Sequence, residues 1–368
     1  MKADKLALSV ILNVFTKLPR SIREAIVPDM LIPKIVNNQS KVQLSRLAHV
    51  YFEHPDLDQF EDFAEDFGFV IAKKEANKIY YRGYGKDPYV YVASQATGGK
   101  PVFKGPTFVA ASREEFDKAK ALPGAVLHSL AGAPGGGEMI TFSRVDDTFF
   151  HVVFGQEERM VDPEHIPSAT IEELGPANTP FEKPRKGQFQ RFHDGPALVH
   201  KLGHFGYVHP HLDAELKWYT DNFNFVPSDI LYHWDFSNID VMTFMHLDLG
   251  EQYSDHHIFF MQRTPPEVEK AYLHHSSYEV ENFDTQMIGH QWLGKKGWKS
   301  VWGIGRHVLG SQIFDYWQDP SGFKIEHYAD GDLVNMHTPT QREVVGPLSV
   351  WGPELPKDFG EDGTLLLI

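Results

Sequence analysis

The sequence predicts an α+β fold built from duplicated units, and three observations support this. Residues 46–70 (RLAHVYFEHPDLDQFEDFAEDFGFV) recur as residues 201–226 (KLGHFGYVHPHLDAELKWYTDNFNFV), with one inserted residue in the second copy. In both copies a short apolar strand leads to a His-Pro turn, a helix with acidic residues near its start, and a second strand. A fainter similarity continues downstream, so each copy covers about 150 residues with several strands and short helices.

The two copies agree at positions that build a turn or an apolar face. Further along, Phe116 and Phe149 of the first copy correspond to Phe283 and Phe323 of the second. The residues of the first segment that recur unchanged in the second are Leu47, His49, His54, Pro55, Leu57, Asp58, Asp66, Phe67, Phe69 and Val70, matched by Leu202, His204, His209, Pro210, Leu212, Asp213, Asp221, Phe223, Phe225 and Val226.

Flanking segments surround these copies. Helical spacing of Val10, Val14 and Leu18 predicts an amphipathic helix near the N-terminus. Several prolines and many charges between the copies predict an ordered surface linker. The tail is expected to fold over the mouth of a pocket. The predicted segments are an N-terminal helical extension (1–42), an N-terminal domain without metal (43–155), a linker (156–195), a C-terminal catalytic domain (196–345) and a tail (346–368).

Composition excludes several functional classes. The 368 residues include 35 Lys and Arg against 50 Asp and Glu, for a formal net charge of −15, so we expect no nucleic-acid or membrane partner. Cysteine is absent, so any metal must be held by Asp, Glu and the 20 histidines. The apolar N-terminal stretch is too short to span a bilayer and lacks a cleavage site, so we expect a cytoplasmic protein.

Three candidate metal ligands stand at equivalent strand positions of the second copy: His204 in KLGHFGYV, His275 in YLHHSSYEV and Glu326 in FKIEHYADG. Two imidazoles and one carboxylate from separate strands can occupy one face of an octahedral metal. Such a site leaves three adjacent positions open and suits ferrous iron that binds a substrate and dioxygen together.

The first copy differs at these positions. Alignment of the copies places His49, Phe108 and Val152 opposite the three candidate ligands, so two of the three positions are apolar. We therefore expect a single metal ion per chain, bound by the second copy.

Two double-histidine segments and a spaced trio carry a resemblance to a known family. The doublets are DHHIFF and LHHSSYEV, and the trio is His307, Tyr316 and Glu326. Residues 43–345 resemble the type I extradiol ring-cleaving dioxygenases, of the catechol 2,3-dioxygenase and 2,3-dihydroxybiphenyl dioxygenase kind, in the vicinal oxygen chelate superfamily. The resemblance implies tandem βαβββ modules, two per domain. It also implies that His204, His275 and Glu326 bind Fe(II), or Mn(II) in a minority of members.

The same resemblance implies roles for the residues around the metal. His257 would stand on the dioxygen side as an acid/base, and His307 and Tyr316 would contact the oxygens of the substrate. If the strands alternate regularly, the neighbouring His256, His274 and His327 face away from the site.

The function that follows is an Fe(II)-dependent extradiol dioxygenase. It would cleave the aromatic ring of a catechol-type substrate adjacent to the vicinal hydroxyls and incorporate both atoms of O2. We expect a homo-oligomer, a dimer or a tetramer. The alternatives are a metal-dependent isomerase or lyase of the glyoxalase type and a non-catalytic binding protein of the bleomycin-resistance kind. The sequence leaves the identity of the catechol open.

Overall fold

The structure is a computed structural model that describes residues 29–161, 171–173, 177–264, 268–356 and 359. The predicted N-terminal amphipathic helix and part of the predicted linker lie outside these residues. Within the described ranges, no helix has the length and apolar character needed to cross a membrane. The predicted boundaries of the five segments stay predictions.

The first half of the described chain holds two helices and ten strands. The elements are β1 (Leu44–His54), α1 (Leu57–Phe67), β2 (Val70–Glu75), β3 (Lys78–Arg82), β4 (Tyr91–Gln95), β5 (Val102–Ala110), α2 (Arg113–Ala121), β6 (Val126–Ser129), β7 (Glu138–Ser143), β8 (Phe149–Phe154), β9 (Ile171–Glu173) and β10 (Arg191–Phe192), with a 3-10 turn at Val145–Asp147.

The second half holds two further helices and twelve strands. The elements are β11 (Leu202–His209), α3 (Leu212–Asn222), β12 (Phe225–His233), β13 (Phe236–Leu247), β14 (Ser254–Asp255), β15 (Phe259–Arg263), β16 (Tyr272–Glu279), α4 (Phe283–Lys296), β17 (Lys299–His307), β18 (Ile313–Gln318), β19 (Lys324–Ala329), β20 (Leu333–Val334), β21 (Gln341–Val344) and β22 (Ser349–Trp351).

Two large sheets confirm the predicted tandem βαβββ modules. The first sheet has the strand order β2-β3-β4-β1-β5-β8-β7-β6, and the second has β21-β12-β13-β15-β11-β16-β19-β18-β17-β22. Each sheet contains two modules of strand, helix and three strands, joined where the first strands of both modules pair antiparallel in the middle. The outer strands β21 and β22 extend the second sheet at its two edges.

The repeated His-Pro segment folds as its residues predict. Asp56 caps α1, accepting a hydrogen bond from the backbone N–H of Gln59 at 2.9 Å, and Gly68 ends the helix at φ 98°. In the second copy the Nδ1 of His209 accepts the backbone N–H of His211 at 2.9 Å, which closes the turn before α3. His209 and His211 are therefore turn residues, as the sequence indicates.

Glycines shape two connections. The glycine-rich AGAPGGGEM segment connects the antiparallel strands β6 and β7 as a hairpin loop. The first half of the basic LGKKGWKS segment is the last turn of α4. Lys295 and Lys296 favour the negative end of that helix, and Gly297 closes it at φ 84°.

The end of α1 packs against the second sheet. Phe67 is completely buried, and its ring stacks on that of His327 with centroids 3.7 Å apart. The Nε2–H of His327 also donates to the Phe67 carbonyl at 2.8 Å. Beside it, Asp66 accepts the indole N–H groups of Trp292 and Trp298, both at 2.9 Å. Because His327 follows Glu326 in the chain, this contact also supports the strand that carries the candidate carboxylate ligand.

We predict that Phe67→Ala lowers the free energy of unfolding by about 3–5 kcal/mol, since it removes a fully buried ring and leaves a cavity under β19. Urea denaturation of the full chain measures the change. Phe181→Ala is the matched control, because that ring is 99% exposed and its loss should change stability by less than about 0.5 kcal/mol. Equal effects of the two substitutions would contradict this account of the packing.

Candidate metal centre

Three adjacent strands of the second sheet bring the predicted ligands together. Ser277 on β16 pairs with His204 on β11 and with Glu326 on β19. His275, two residues before Ser277 on β16, pairs with Gly206 on β11. Because side chains alternate between the faces of a strand, residues at these positions project from one face. The three buried side chains bring one ligand atom each to within 4.8 Å of one another.

The ligand atoms have the spacing of one face of an octahedron. The Nε2 atoms of His204 and His275 are 3.1 Å apart, and they lie 3.1 and 3.3 Å from Oε2 of Glu326. Ligands about 2.1 Å from a metal are about 3.0 Å apart at octahedral cis positions and about 3.4 Å apart in a tetrahedron. The donor set and its spacing therefore fit a facial two-histidine, one-carboxylate site.

Burial makes this carboxylate costly without a cation. Glu326 is completely buried, and neither of its oxygens receives a hydrogen bond of ordinary geometry. Burial alone would raise the pKa of Glu326, but its contacts with His204 and His275 outweigh burial and hold the pKa well below the usual value. Burial lowers the pKa of His275 to about 4, which keeps its imidazole neutral and able to bind a metal. Among the described residues, these three form the one group able to hold a metal ion.

His257 stands beside the ligand triad, as the resemblance implies. Its ring lies 4.3 Å from that of His204 and 5.1 Å from that of Phe244, measured between centroids. The side chain is buried, and burial lowers the pKa of His257 well below the usual value. The neighbouring His204 has the next largest effect and also lowers the pKa of His257. A neutral imidazole at this place is available to accept a proton.

The expectation that His256 faces away from the site is wrong. The doublet precedes β15 instead of lying inside it, so strand alternation does not apply. The Nδ1 of His256 is 3.1 Å from Nδ1 of His257, and its Nε2 is 2.5 Å from Oδ2 of the buried Asp229. The result is a chain of contacts from Asp229 to the metal centre. Sequence reasoning missed Asp229, which lies far away in the chain on β12.

His274 also lies at the site, against expectation, whereas His327 faces away as predicted. The pairing of β11 with β16 shifts between Gly206–His275 and Tyr207–Leu273, so His274 occupies a β-bulge that breaks the alternation. Its Nδ1 is 2.7 Å from Nδ1 of His275. Both double-histidine segments thus supply an inner imidazole and an outer imidazole that contacts it. The doublets themselves were the signal in the sequence.

His307 and Tyr316 lie next to each other on the antiparallel strands β17 and β18. The Nε2 of His307 is 2.9 Å from the hydroxyl of Tyr316 and 3.7 Å from Oε1 of Glu326. The Nδ1–H of His307 donates to the backbone carbonyl of Leu348, in the predicted tail, at 3.0 Å. The Tyr316 ring meets that of His275 edge-on at 5.0 Å. Both residues therefore border the same space as the metal ligands.

A cavity of about 870 Å³ opens from the centre, and its lining includes His204, His257, His274, His275, His307 and Tyr316. Glu326, His256 and Asp229 are not part of this lining, whereas Met30 from the described start of the chain is. As expected, the tail covers part of this space. The tail residues in the lining are Gly346, Pro347, Leu348, Ser349, Val350, Leu355, Pro356 and Phe359.

The predicted counterparts in the first copy require correction. Thr107 pairs with His49 as Ser277 pairs with His204, so Phe108 corresponds to Tyr278 and not to His275. Thr107 also pairs with His151, as Ser277 pairs with Glu326, so His151 replaces Val152 as the counterpart of the carboxylate. The sequence alignment was shifted by three residues at the strand of His275, whose counterpart by register is Gly105, and by one residue at the strand of Glu326. The first copy thus keeps histidines at two ligand positions.

Those two histidines hold structural contacts. The Nε2–H of His151 donates to the Lys104 carbonyl at 2.8 Å, and its Nδ1 is 2.9 Å from the hydroxyl of Thr141. The Nε2 of His49 is 3.2 Å from the hydroxyl of Tyr51. In the aligned segments Tyr51 stands where the second copy has Gly206. In the second copy the ring of Phe260 covers the backbone at this position, where a Cβ atom would lie 2.0 Å from it.

Comparison with known proteins finds similarity to one superfamily of enzymes and binding proteins. Residues 201–327 match the family model described as the Glyoxalase/Bleomycin resistance protein/Dioxygenase superfamily. Among solved structures, the homoprotocatechuate 2,3-dioxygenase of Brevibacterium fuscum, in complex with 3,4-dihydroxyphenylacetate, is similar with a TM-score of 0.69 and 17% identity over 89% of this chain and 96% of that chain. The chain has the vicinal oxygen chelate fold. Its resemblance to the extradiol enzymes of that superfamily is confirmed.

Two further proteins similar to this chain are a glyoxalase and a metapyrocatechase. The Mn(II)-bound glyoxalase from Novosphingobium aromaticivorans is similar with a TM-score of 0.66 and 21% identity over 85% of this chain and 93% of that chain. Metapyrocatechase 2 of Cupriavidus necator is 27% identical over 199 residues, which are 50% of this chain and 58% of the relative. The match therefore spans less than two thirds of that relative's length.

We predict one metal ion per chain, because one ligand triad converges in the described residues. His204→Ala, His275→Ala and Glu326→Ala should each weaken metal retention by more than about 100-fold, beyond the effect of losing an outer-shell partner. Elemental analysis after anaerobic reconstitution with Fe(II) and gel filtration measures this. His337→Ala, at an exposed histidine, is the control and should keep the metal. Two tightly bound ions in the unaltered chain would contradict the prediction.

Proposed function

We propose that the protein is an Fe(II)-dependent extradiol dioxygenase that cleaves a catechol-type ring adjacent to its vicinal hydroxyls with incorporation of both atoms of O2. The observation that carries the proposal is the convergence of His204, His275 and Glu326 at the inner end of a cavity bordered by His257, His307 and Tyr316. Ferrous iron held by two histidines and one carboxylate has open adjacent positions for a diol and dioxygen, and supplies the electron transfer between them.

His257 has the position and protonation state of a base for the diol. A catechol must lose protons to bind as a chelate, and a neutral buried imidazole beside the centre can accept one. The carboxylate of Asp229 accepts Nε2–H of His256. A His256 that carries its proton on Nε2 alone has Nδ1 as an acceptor. His257 then donates through its own Nδ1–H. Its Nε2 is free to accept the proton and to return it later.

Tyr316 and His307 would hold the oxygens of the substrate. The Tyr316 hydroxyl is buried, and burial followed by the nearby Glu326 raises the pKa of this phenol well above the usual value, so it stays protonated. A protonated phenol can donate a hydrogen bond to charge that develops on a ring oxygen. His307, fixed by the Leu348 carbonyl, orients the hydroxyl through their 2.9 Å contact.

The glyoxalase-type isomerase or lyase stays the second candidate, because the fold is shared with a Mn(II)-bound glyoxalase. Against it, all three ligands come from one copy and the cavity places an imidazole and a phenol around a diol-sized space. The two candidates separate in one experiment. The Fe(II)-loaded protein is assayed in air with a panel of catechols, and the Mn(II)-loaded protein with thiol adducts of 2-oxoaldehydes.

We predict extradiol regiochemistry for the ring cleavage. With catechol the Fe(II)-loaded protein should form yellow 2-hydroxymuconic semialdehyde, because the ferrous site binds diol and dioxygen side by side. Absorbance spectra and mass spectrometry in ¹⁸O2 identify the product and the origin of both new oxygens. A cis,cis-muconic acid product would refute the proposal.

We predict that His257→Phe separates metal binding from catalysis. Iron content should stay near that of the unaltered chain, because the three ligands remain. Turnover should fall by about 100- to 10,000-fold, the usual contribution of general acid–base catalysis. Stopped-flow measurement of diol binding and of product formation distinguishes the two steps.

His275→Ala is the contrasting variant, since it should lose the metal first. His246→Ala is a control for removal of a buried histidine, because His246 contacts Ser228 and does not border the cavity. A His257→Phe protein with unaltered turnover between pH 6 and 9 would show that His257 has a structural role only.

A further inference from the structure

The cavity beyond the metal ligands has an apolar wall. Phe244 and Phe260 form the first layer, with ring centroids 5.6 Å apart, and the Phe260 ring stands directly over Gly206, where a Cβ atom would lie 2.0 Å from it. The other apolar residues of the lining are Met30, Leu231, Phe236, Ile239, Val241, Met242, Val308, Leu309, Val344, Val345, Pro347, Leu348, Val350, Leu355, Pro356 and Phe359.

Strand register gives the cavity its depth. On β13 and β15, Phe244 pairs with Phe260, and Met242 pairs with Gln262 two residues farther along. Two residues of a strand span about 6.6 Å, so the Met242 layer is about one aromatic ring beyond the Phe244 layer. The total volume of about 870 Å³ is near the upper end of the range of about 300–1,000 Å³ for ligand pockets. A single catechol ring would fill only its inner part.

Among the described lining residues, the cavity offers no unpaired arginine or lysine to a charged substituent. Arg263 is the one arginine or lysine among them. Its guanidinium is held by both oxygens of Asp213, at 2.8 and 2.9 Å, and by the Asp240 carbonyl. Glu343 is a further lining residue and would repel an anion. A carboxylate carried into this space would lose its hydration and gain neutral donors such as Gln262 and Thr264 in place of an unpaired cation.

We propose that the natural substrate is an uncharged aromatic diol with a large apolar substituent, a second ring or a chain of similar size, lying against Phe244 and Phe260 and reaching Met242. This inference rests on the proposed function and names its substrate class. It separates this cavity from one that accepts a carboxylated diol such as 3,4-dihydroxyphenylacetate, the ligand bound in the structurally similar Brevibacterium fuscum enzyme.

Binding to the metal-free chain tests the cavity independently of catalysis. The probes are phenol, 2-hydroxybiphenyl and 4-hydroxyphenylacetate, which share one phenol ring and carry no diol. Isothermal titration calorimetry should show 2-hydroxybiphenyl binding about 10- to 100-fold more tightly than phenol, the gain expected from burying a phenyl group. The carboxylated probe should bind no more tightly than phenol. Tighter binding of 4-hydroxyphenylacetate than of 2-hydroxybiphenyl would overturn the inference.

Turnover by the Fe(II)-loaded enzyme is the second arm. The kcat/KM for 2,3-dihydroxybiphenyl should exceed those for catechol and 3,4-dihydroxyphenylacetate by at least about tenfold. If the small or the carboxylated diol is preferred, the inference fails and the proposed function stands. If no diol is cleaved by the iron-loaded enzyme, the proposed function fails, and the calorimetry alone decides whether the cavity prefers neutral apolar ligands.

Two substitutions assign the preference to the named residues. Met242→Trp should fill the outer layer and lower the affinity for 2-hydroxybiphenyl relative to phenol by about tenfold. Met287→Trp, on the exposed side of α4, is the matched control and should leave the ratio unchanged. Val344 is a half-exposed lining residue on the edge strand β21, so this position tolerates a larger side chain. Val344→Arg adds a cation to the lining and should raise the affinity for the carboxylated 4-hydroxyphenylacetate. Unaltered ratios in both cavity variants would overturn the inference.

Discussion

The buried carboxylate of Glu326 is the constraint on which the second half of the molecule depends. A fully buried carboxylate without a hydrogen bond of ordinary geometry costs several kcal/mol unless a positive charge compensates it. The imidazoles of His204 and His275, 3.1 and 3.3 Å from it, complete a site for that charge. Three adjacent strands must keep their register for the three atoms to meet. The antiparallel and parallel pairing around Ser277 fixes this register.

Around this centre, each double-histidine segment places an outer imidazole against an inner one, and the two segments do so with different backbone geometry. His256 reaches His257 because the pair lies in a loop before β15, whereas His274 reaches His275 because a β-bulge breaks the strand alternation. In each case the outer imidazole contacts Nδ1 of the inner one. That contact fixes the orientation of the inner ring and its tautomer. In the pair His256 and His257, the Asp229 carboxylate in turn contacts the outer imidazole of His256.

The two copies share their architecture but differ at the candidate ligand positions. Both sheets pair their modules in the same way, and the first copy keeps His49 and His151 at two of these positions. There, the hydroxyl of Tyr51 contacts His49, while the second copy has Gly206 at the aligned position and Phe260 above it. The histidines of the first copy are held by such structural contacts, whereas those of the second meet a carboxylate. The first copy retains the role of a packing partner, through contacts such as that of Phe67 with His327.

The sequence by itself determined the α+β class, the duplication and the three convergent ligand positions, because apolar periodicity and residue type are local properties of the chain. His257, His307 and Tyr316 were indicated by the resemblance to the extradiol dioxygenases, which the double-histidine segments and the spaced trio carry. The tertiary structure alone decided what depends on contacts between distant segments. Asp229 meets His256 because β12 lies beside the loop before β15. His274 points towards the site because of a β-bulge, which no pattern of residues in the sequence predicts. Two counterparts of the ligands in the first copy were misplaced, by three residues for His275 and by one for Glu326, since register is set by hydrogen bonding between strands and not by the order of residues along one of them.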